Sequence, residues 1–182
     1  MSNMNGIAIF AGGCFWCTEA VFKRVQGVLK VVPGYLGGTI KNPCYREVAM
    51  GVTGHAEAVK IEYDPLVVSY DLLLEIFFAT HNPTTLNQQG NDIGTQYRSE
   101  IFCTSDEQKK KAREYIKLLE AENIFRNPIV TAISIEQPFY SAEDYHHNYY
   151  DNNRFQPYCQ VVIHPKLRKL QTMYSQKIKV EY

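Results

Sequence analysis

Two cysteines three positions apart, Cys14 and Cys17, could do redox or metal chemistry. They enclose Phe15 and the only tryptophan of the chain, Trp16, in the stretch GGCFWCTEA. A C-x-x-C pair is typical of a dithiol redox centre or a metal site, and it also arises by coincidence in a packed core. Thioredoxin-type motifs favour small residues, proline or glycine between the thiols, and two aromatic residues fit that pattern poorly. The stretch by itself leaves these interpretations open.

The position of Cys14 favours a reactive thiol. The apolar strand pattern of residues 7–10 ends at Gly12 and Gly13, and helical spacing begins at Cys14. A helix N-terminus stabilises a thiolate by roughly 0.3–1 kcal/mol, and by about 2 kcal/mol at best, which lowers the thiol pKa by at most about 1.5. We therefore expect Cys14 to be a nucleophile with a modestly lowered pKa.

Phe15 and Trp16 are candidates for a small apolar pocket beside that nucleophile. Adjacent helical residues point about 100° apart, so the two rings cannot easily share one buried face. Core packing is the commoner role of such residues, but beside a loop the rings can form the wall of a pocket. A pocket of this kind suits a methyl or thioether group.

Two long segments without a sustained period, residues 33–57 and residues 80–99, supply polar partners for the thiol. Irregular segments of this length are uncommon in a compact domain and tend to be functional. Their acidic and phenolic candidates are Tyr45, Glu57, Asp92 and Tyr97. We expect the site where these two segments meet Cys14.

The elements that must position these residues interleave along the chain. Strand patterns cover residues 7–10, 28–32, 59–63, 98–103 and 129–136. Helices are predicted to begin near residues 14, 69, 105, 141 and 165. Because the connections are too short for a parallel sheet throughout, we predict an α+β fold. The expected form is a two-layer α/β sandwich, a ferredoxin-like plait, with a mixed, largely antiparallel sheet and long functional loops.

Bulk properties limit the class of protein. We expect a single catalytic domain over residues 1–182, with a core at about 7–169 and a C-terminal segment at 150–182. The 19 basic and 19 acidic residues cancel, which disfavours nucleic-acid and membrane partners. The N-terminus lacks the basic region of a secretory signal, and five cysteines fit a reducing compartment, so we expect a cytoplasmic protein. Monomer is the default expectation.

Three segments together resemble the signature segments of the peptide methionine sulfoxide reductase A family. They are GGCFWCTE, TGHAEAV and NPTTLNQQGNDIGTQYRS, in the same order and spacing, and the resemblance runs from about Ile7 to Lys169. It implies reduction of methionine-S-sulfoxide, free or in proteins, to methionine, and thereby repair of oxidised proteins. It also implies a sulfenic acid on Cys14 and an intramolecular disulfide. No cofactor is expected; the external reductant is thioredoxin or dithiothreitol.

The resemblance also implies a role for each candidate residue. Cys14 corresponds to the nucleophile, and Phe15 and Trp16 correspond to the wall that binds the methyl group. Tyr45, Glu57, Asp92 and Tyr97 fall at positions that bind and protonate the sulfoxide oxygen. Because a carboxylate beside Cys14 would oppose thiolate formation, we expect Glu57 to be buried and protonated.

The sequence offers two candidates for the thiol that resolves the sulfenic acid. The segment YHHNYYDNNRFQPYC resembles the family's segment with a recycling cysteine, here Cys159, which we expect to form the first disulfide. Cys17, where the family more often has glycine, lies one helical turn from Cys14 and is the alternative or a relay. Cys44 and Cys103 are expected to be spectators.

Two other functions compete with this interpretation. A soft-metal binding module would use Cys14 and Cys17 as ligands, and a general thiol–disulfide oxidoreductase would need no sulfoxide. The histidines have no ligand-like spacing with one another or with the cysteines, so we expect no metal. His55 is expected to order its own loop.

Overall fold

A six-stranded sheet forms the centre of the computed structural model, which describes residues 4–180. In chain order its strands are β1 (Gly6–Gly12), β2 (Val28–Leu36), β3 (Ala56–Tyr63), β6 (Ser99–Cys103), β7 (Ala132–Ile135) and β8 (Tyr140–Ser141). The strands between them, β4 (Gln88–Gln89) and β5 (Asp92–Ile93), form a separate hairpin. The spatial order of the sheet is β7-β6-β1-β3-β2-β8, and only the β6–β7 pair is parallel. The predicted α+β class with a mixed, largely antiparallel sheet is confirmed.

Six α-helices accompany the sheet in the described part of the chain. They are α1 (Phe15–Phe22), α2 (Tyr45–Ala49), α3 (Tyr70–Ala79), α4 (Asp106–Ala121), α5 (Tyr149–Asn152) and α6 (His164–Tyr174). The predicted caps are present, because Ser69 Oγ accepts from the N–H of Leu72 and Ser105 Oγ accepts from the N–H of Gln108. None of the helices is long and apolar enough to cross a membrane.

The two faces of β1 belong to different parts of the core. Phe10 points to the helical layer, where its ring stacks on Phe77 at 4.7 Å between centroids and lies 5.4 Å from Phe22. Ile9 points to the other face and packs in a cluster with Phe102. This alternation is the period of a strand buried on both sides, and it fixes α1 and α3 against one face of the sheet.

Three elements differ from the sequence prediction. Strand β2 continues through Pro33 and Gly34, because β3 pairs with it as far as Leu36 and Gly34 leaves room for β8. The helix expected near residue 141 is a 3₁₀ turn (Asp144–His146) followed by the short α5. Asn148 separates them with a φ of +54°.

The C-terminal helix starts earlier than expected, since a π-helical turn (Cys159–Ile163) leads directly into α6. The two long segments are also less irregular than predicted. The first contains α2, and the second contains the β4–β5 hairpin and a 3₁₀ turn (Thr95–Tyr97).

Candidate active site

Cys14 occupies the turn from β1 to α1, directly before the first helical residue. Gly13 makes this turn possible, because its φ of +95° is a conformation that L side chains rarely adopt. A Cβ on Gly13 would lie 2.6 Å from Cγ of Gln89, so the hairpin packs closely against the turn. Cys14 is 8% exposed. The thiol therefore lies at a helix N-terminus, as expected, and is almost withdrawn from solvent.

The side chains of Phe15 and Trp16 are both fixed by aromatic neighbours. Phe15 is buried, with its ring centroid 5.6 Å from Tyr35 and 5.0 Å from His146. Trp16 is half-buried and stacks on Tyr149 at 3.7 Å with an angle of 6° between the rings. Its Nε1 donates a hydrogen bond to Nδ1 of His146 at 2.9 Å. His146 thus contacts both rings, and the indole keeps one orientation beside Cys14.

Glu57, on β3, is buried next to the start of α1. Its Oε2 accepts a hydrogen bond from the N–H of Phe15 at 3.0 Å. Burial raises the pKa of Glu57 to about 8 and the charge of Asp92 adds to this, whereas the hydrogen bond from Phe15 acts in the opposite direction. The carboxyl group is therefore mostly protonated at neutral pH, the state expected of an acid beside a thiol.

Tyr45 and Tyr97 interact with the same carboxyl group. Tyr45 begins α2, and Tyr97 ends the 3₁₀ turn before β6. Burial raises the pKa of Tyr45 to about 12 and also raises the pKa of Tyr97, and both phenols interact with the charges of Glu57 and Cys14. The folding of the two long segments thus brings Tyr45, Glu57 and Tyr97 near Cys14, and Asp92 interacts with Glu57 and Cys17. Phenols that stay protonated are available as hydrogen-bond donors.

Three of the five cysteines form one buried cluster. Cys14 and Cys17 interact directly through their thiols, and Cys17 also interacts electrostatically with Cys159. All five cysteines are free thiols. Cys44 is exposed at the N-terminus of α2, and Cys103 is buried at the end of β6. Cys17 therefore interacts with Cys14 through a thiol hydrogen bond and with Cys159 electrostatically.

The expected lowering of the Cys14 pKa is wrong. Burial raises this pKa well above its ordinary value, and Cys17 and Glu57 act in the same direction. The backbone N–H of Trp16 at the helix N-terminus lowers it, but burial dominates. The lowered pKa belongs to Cys17, which falls to about 7 through its hydrogen bond with Cys14 and the charge of Lys166. The pair therefore ionises first at Cys17.

Tyr158 lies in the site and was not predicted from the sequence. Its hydroxyl donates to Oδ2 of Asp92 at 2.7 Å and lies 3.6 Å from Sγ of Cys17. Its ring meets Trp16 edge-on, with centroids 5.8 Å apart. Because Tyr158 directly precedes Cys159, the segment that carries this cysteine also covers the site. The only sequence signal was its place in the segment YHHNYYDNNRFQPYC.

Glu143 is a second residue that the sequence did not indicate. Its Oε2 accepts from the N–H of Tyr45 and its Oε1 accepts from the hydroxyl of Tyr35, both at 2.9 Å. Burial acts to raise the pKa of Glu143, but these hydrogen bonds outweigh it and the pKa is lowered. The resulting carboxylate ties the first residue of α2 to β2.

His55 orders its own loop, as expected. Its Nδ1 accepts from the N–H of Gly38 at 3.0 Å, and its Nε2 lies 2.6 Å from the carbonyl oxygen of Ile40. Within residues 4–180 no group of three or more His, Cys, Asp or Glu side chains could hold a metal ion.

A thiol pair at a helix N-terminus, beside a protonated carboxyl group and two phenols, defines the class of a cysteine-dependent oxidoreductase. The family model "Peptide methionine sulfoxide reductase" matches residues 6–178. The peptide methionine sulfoxide reductase MsrA of Deinococcus radiodurans is 57% identical over 172 residues, which cover 94% of this chain and 84% of that protein. The chain therefore belongs to the peptide methionine sulfoxide reductase family, and it is a peptide-methionine (S)-S-oxide reductase.

Solved structures agree with this family. The crystal structure of Mxr1 from Saccharomyces cerevisiae in reduced form matches with a TM-score of 0.79 and 32% identity, over 87% of this chain and 91% of that chain. Mxr1 in complex with Trx2 matches with a TM-score of 0.56 and 25% identity, over 82% and 87% of the two chains. The α+β architecture is thus shared with members of the family.

Proposed function

We propose that Cys14 attacks the sulfur of methionine-S-sulfoxide while Glu57 protonates the oxygen. The observation that carries this proposal is the buried carboxyl group of Glu57. It accepts a hydrogen bond from the N–H of Phe15, the residue after Cys14, and its pKa is raised to about 8. A neutral carboxylic acid can donate a proton to the oxygen without repelling a thiolate. Phe15 and Trp16 hold the methyl group.

The first step forms one bond and breaks another. The thiolate of Cys14 bonds to the substrate sulfur, and negative charge develops on the oxygen, where Tyr45 and Tyr97 donate hydrogen bonds. The proton of Cys14 passes to the thiolate of Cys17, the neighbouring thiol that ionises first. This transfer is uphill because Cys17 has the lower pKa, and the attack of the resulting Cys14 thiolate on sulfur drives it forward. The protonated oxygen then leaves the substrate sulfur as water, and a water molecule attacks Sγ of Cys14. The new S–S bond breaks, its electron pair stays with the departing methionine, and Cys14 becomes a sulfenic acid. Asp92 contributes by holding the hydroxyl of Tyr158 at the edge of the site.

Cys17 is proposed as the thiol that resolves this sulfenic acid. Its thiol hydrogen-bonds with that of Cys14, whereas Cys159 interacts electrostatically with Cys17. Condensation of Cys14–SOH with Cys17–SH gives a disulfide and water. Cys159 then exchanges with that disulfide, frees Cys14 and leaves a Cys17–Cys159 disulfide. This order differs from the one expected from the sequence, in which Cys159 acts first.

The external reductant is proposed to be thioredoxin. Support comes from the solved complex of Mxr1, a structural relative of this chain, with Trx2. The substrate is proposed to include oxidised methionine in proteins as well as the free amino acid. We also propose a ferredoxin-like plait for the core, because the chain order β1-α1-β2-β3-α3-β6 gives the sheet order β6-β1-β3-β2. Four further properties stay predictions: the cytoplasmic location, the monomeric state, the lack of a cofactor, and the repair of oxidised proteins.

The direct test of the function uses racemic methionine sulfoxide. We expect the reduced enzyme with dithiothreitol to convert half of the substrate to methionine and to leave the R epimer untouched. Chiral chromatography of the residual sulfoxide measures this. Consumption of both epimers, or of neither, contradicts the proposal.

The order of the thiols is tested with Cys17→Ser and Cys159→Ser. In a single turnover both variants should release one methionine, because neither residue is the nucleophile, but Cys17→Ser should do so more slowly because it lacks the proton acceptor. Cys17→Ser should accumulate a sulfenic acid that dimedone traps. Cys159→Ser should form the Cys14–Cys17 disulfide and lose turnover with thioredoxin while keeping turnover with dithiothreitol. Cys44→Ser is the matched control, and normal thioredoxin turnover by Cys17→Ser would show that Cys159 resolves Cys14 directly.

A further inference from the structure

A cleft of about 560 Å³ lies between the end of α3, the segment after α4 and the start of α6. Three cations line it, Arg126, Lys166 and Lys169, and no carboxylate is among its lining residues. Phe125 and Pro165 add apolar surface. We call this feature the cationic cleft. Its volume is in the range of small-molecule sites, and its polar groups are of one sign.

In the described part of the chain, the charges of the three cations are not balanced by ion pairs. Within residues 4–180 none of them forms an ion pair with a carboxylate. Like charges that share a concave surface repel one another and concentrate anions from solution. A small anion in the cationic cleft would therefore be stabilised by all three side chains.

The cationic cleft leads towards Cys17. A second cavity of only about 10 Å³ has Cys17 and Gly12 in its wall, and it shares Thr80, His81 and Lys166 with the cationic cleft. Burial lowers the pKa of His81 to about 3, so this imidazole is neutral and Lys166 carries the positive charge at the junction. The charge of Lys166 acts on Cys17, as its effect on the Cys17 pKa shows. An anion held in the cleft thus lies on the approach to one redox thiol.

We propose that the cationic cleft binds small thiols that carry a carboxylate, and that these thiols reduce the disulfide of Cys17. The inference rests on the proposed function, because it requires Cys17 to be in a disulfide. The bound thiolate attacks Sγ of Cys17, the bond to the partner cysteine breaks, and its electron pair leaves as the partner's thiolate. A second thiol attacks the mixed disulfide, releases the oxidised small thiol and restores the Cys17 thiol. Because the cavity beside Cys17 is only about 10 Å³, this step requires the side chain of Lys166, which lines both cavities, to move aside for the attacking sulfur.

The test compares two reductants that differ in charge. The enzyme is oxidised by one turnover with methionine sulfoxide, and its reactivation is then followed with 3-mercaptopropionate, an anion, or with 2-mercaptoethanol, which is neutral. Charge reversal at Lys169→Glu or Arg126→Glu should slow reactivation by 3-mercaptopropionate about 5-fold to 10-fold, since a nearby charge changes sign. Reactivation by 2-mercaptoethanol should change less than about 2-fold. Lys30→Glu, an exposed lysine on β2 outside the cleft, is the matched control.

Two further measurements separate the possible failures. Succinate should compete with 3-mercaptopropionate and not with 2-mercaptoethanol, because only the anion needs the cleft. Equal rates of both thiols in wild type and variants, or equal slowing of both, would overturn the cleft as a thiol site. Methionine released in the first turnover reports the proposed function separately. If methionine is released but the charge-reversal variants do not change reactivation by 3-mercaptopropionate, only the cleft proposal is wrong.

Discussion

At the scale of single residues, the site depends on which group holds each proton. Glu57 and Cys14 both lose solvent, and burial favours the neutral form of each. Cys17 keeps a pKa of about 7 because it shares a proton with Cys14 and lies near Lys166. The reactive arrangement, a thiolate facing a neutral acid, is therefore built from a thiol pair and not from one activated cysteine.

Replacing Glu57 by Gln tests the proton donor. The amide keeps the size and the polarity of the carboxyl group but cannot supply a proton of useful acidity. We expect methionine formation in a single turnover to slow by about 100-fold or more, with little change in KM. Glu120→Gln, an exposed residue on α4, should have normal kinetics. A fully active Glu57→Gln enzyme would show that the proton comes from elsewhere.

The same substitution makes a prediction about pH and stability. The pKa of Glu57 is about 8 in the folded protein against 4.5 for the free group, so between these values the unfolded chain has lost a proton that the folded chain keeps. Rising pH therefore destabilises the wild type through this group. The melting temperature of Glu57→Gln minus that of the wild type should increase from about pH 4.5 to pH 8, and this difference should stay constant above pH 8. An unchanged difference across this range would mean that Glu57 is ionised when folded.

At the scale of elements, the decisive structure is the turn that joins β1 to α1. It places a thiol at the helix N-terminus, and the β4–β5 hairpin closes over it through Gln89. The hairpin also carries Asp92, so one contact fixes two parts of the site. The turn has this shape only because Gly13 has no Cβ.

Gly13→Ala tests the importance of this turn. A left-handed conformation costs a residue with a side chain about 1–2 kcal/mol, and the new Cβ must also displace Gln89. We expect a loss of more than about 2 kcal/mol in denaturant unfolding and a slower first turnover. Gly90→Ala is the control, since Gly90 also has a positive φ but has open space around it, and it should lose about 1 kcal/mol.

At the scale of the whole molecule, an ion cluster joins α1 to the C-terminal segment. Asp151 accepts from Lys23 at 2.8 Å and from Arg24 at 2.7 Å, and Arg154 also donates to it. Glu19 contributes by accepting from the backbone N–H of Asn148 at 3.1 Å. These contacts hold the segment that brings Tyr158 and Cys159 to the site.

Asp151→Asn tests this connection. Burial acts to raise the pKa of Asp151, but its bonds with Lys23 and Arg24 outweigh it and lower the pKa to about 2. The group therefore stabilises the fold above about pH 4, by about 2 kcal/mol, and this contribution disappears as the pH falls through 2. The variant should lose that amount in unfolding at pH 7 and recycle more slowly with a normal first turnover. Asp71→Asn, in an exposed pair with Lys111, should lose no more than about 0.5 kcal/mol.

Local patterns in the sequence were sufficient for most of the elements and for the candidate residues around Cys14. Apolar alternation, capping serines and the glycine pair place Cys14 between a strand and a helix, because these signals act over a few residues. The predicted ends of elements were wrong where they depend on residues distant in sequence. Strand β2, for example, extends further than predicted because β3 and β8 pair with it.

The sequence by itself thus determined where the proposed nucleophile, its aromatic neighbours and the proposed acid lie along the chain. Only the tertiary structure decided which thiol ionises, which hydroxyl meets Asp92 and which lysine faces Cys17. These properties come from burial and from contacts such as that of Tyr158 with Cys17, 141 positions apart. Solvent exclusion is a property of the packed molecule, so no local pattern could have revealed that the Cys14 pKa is raised.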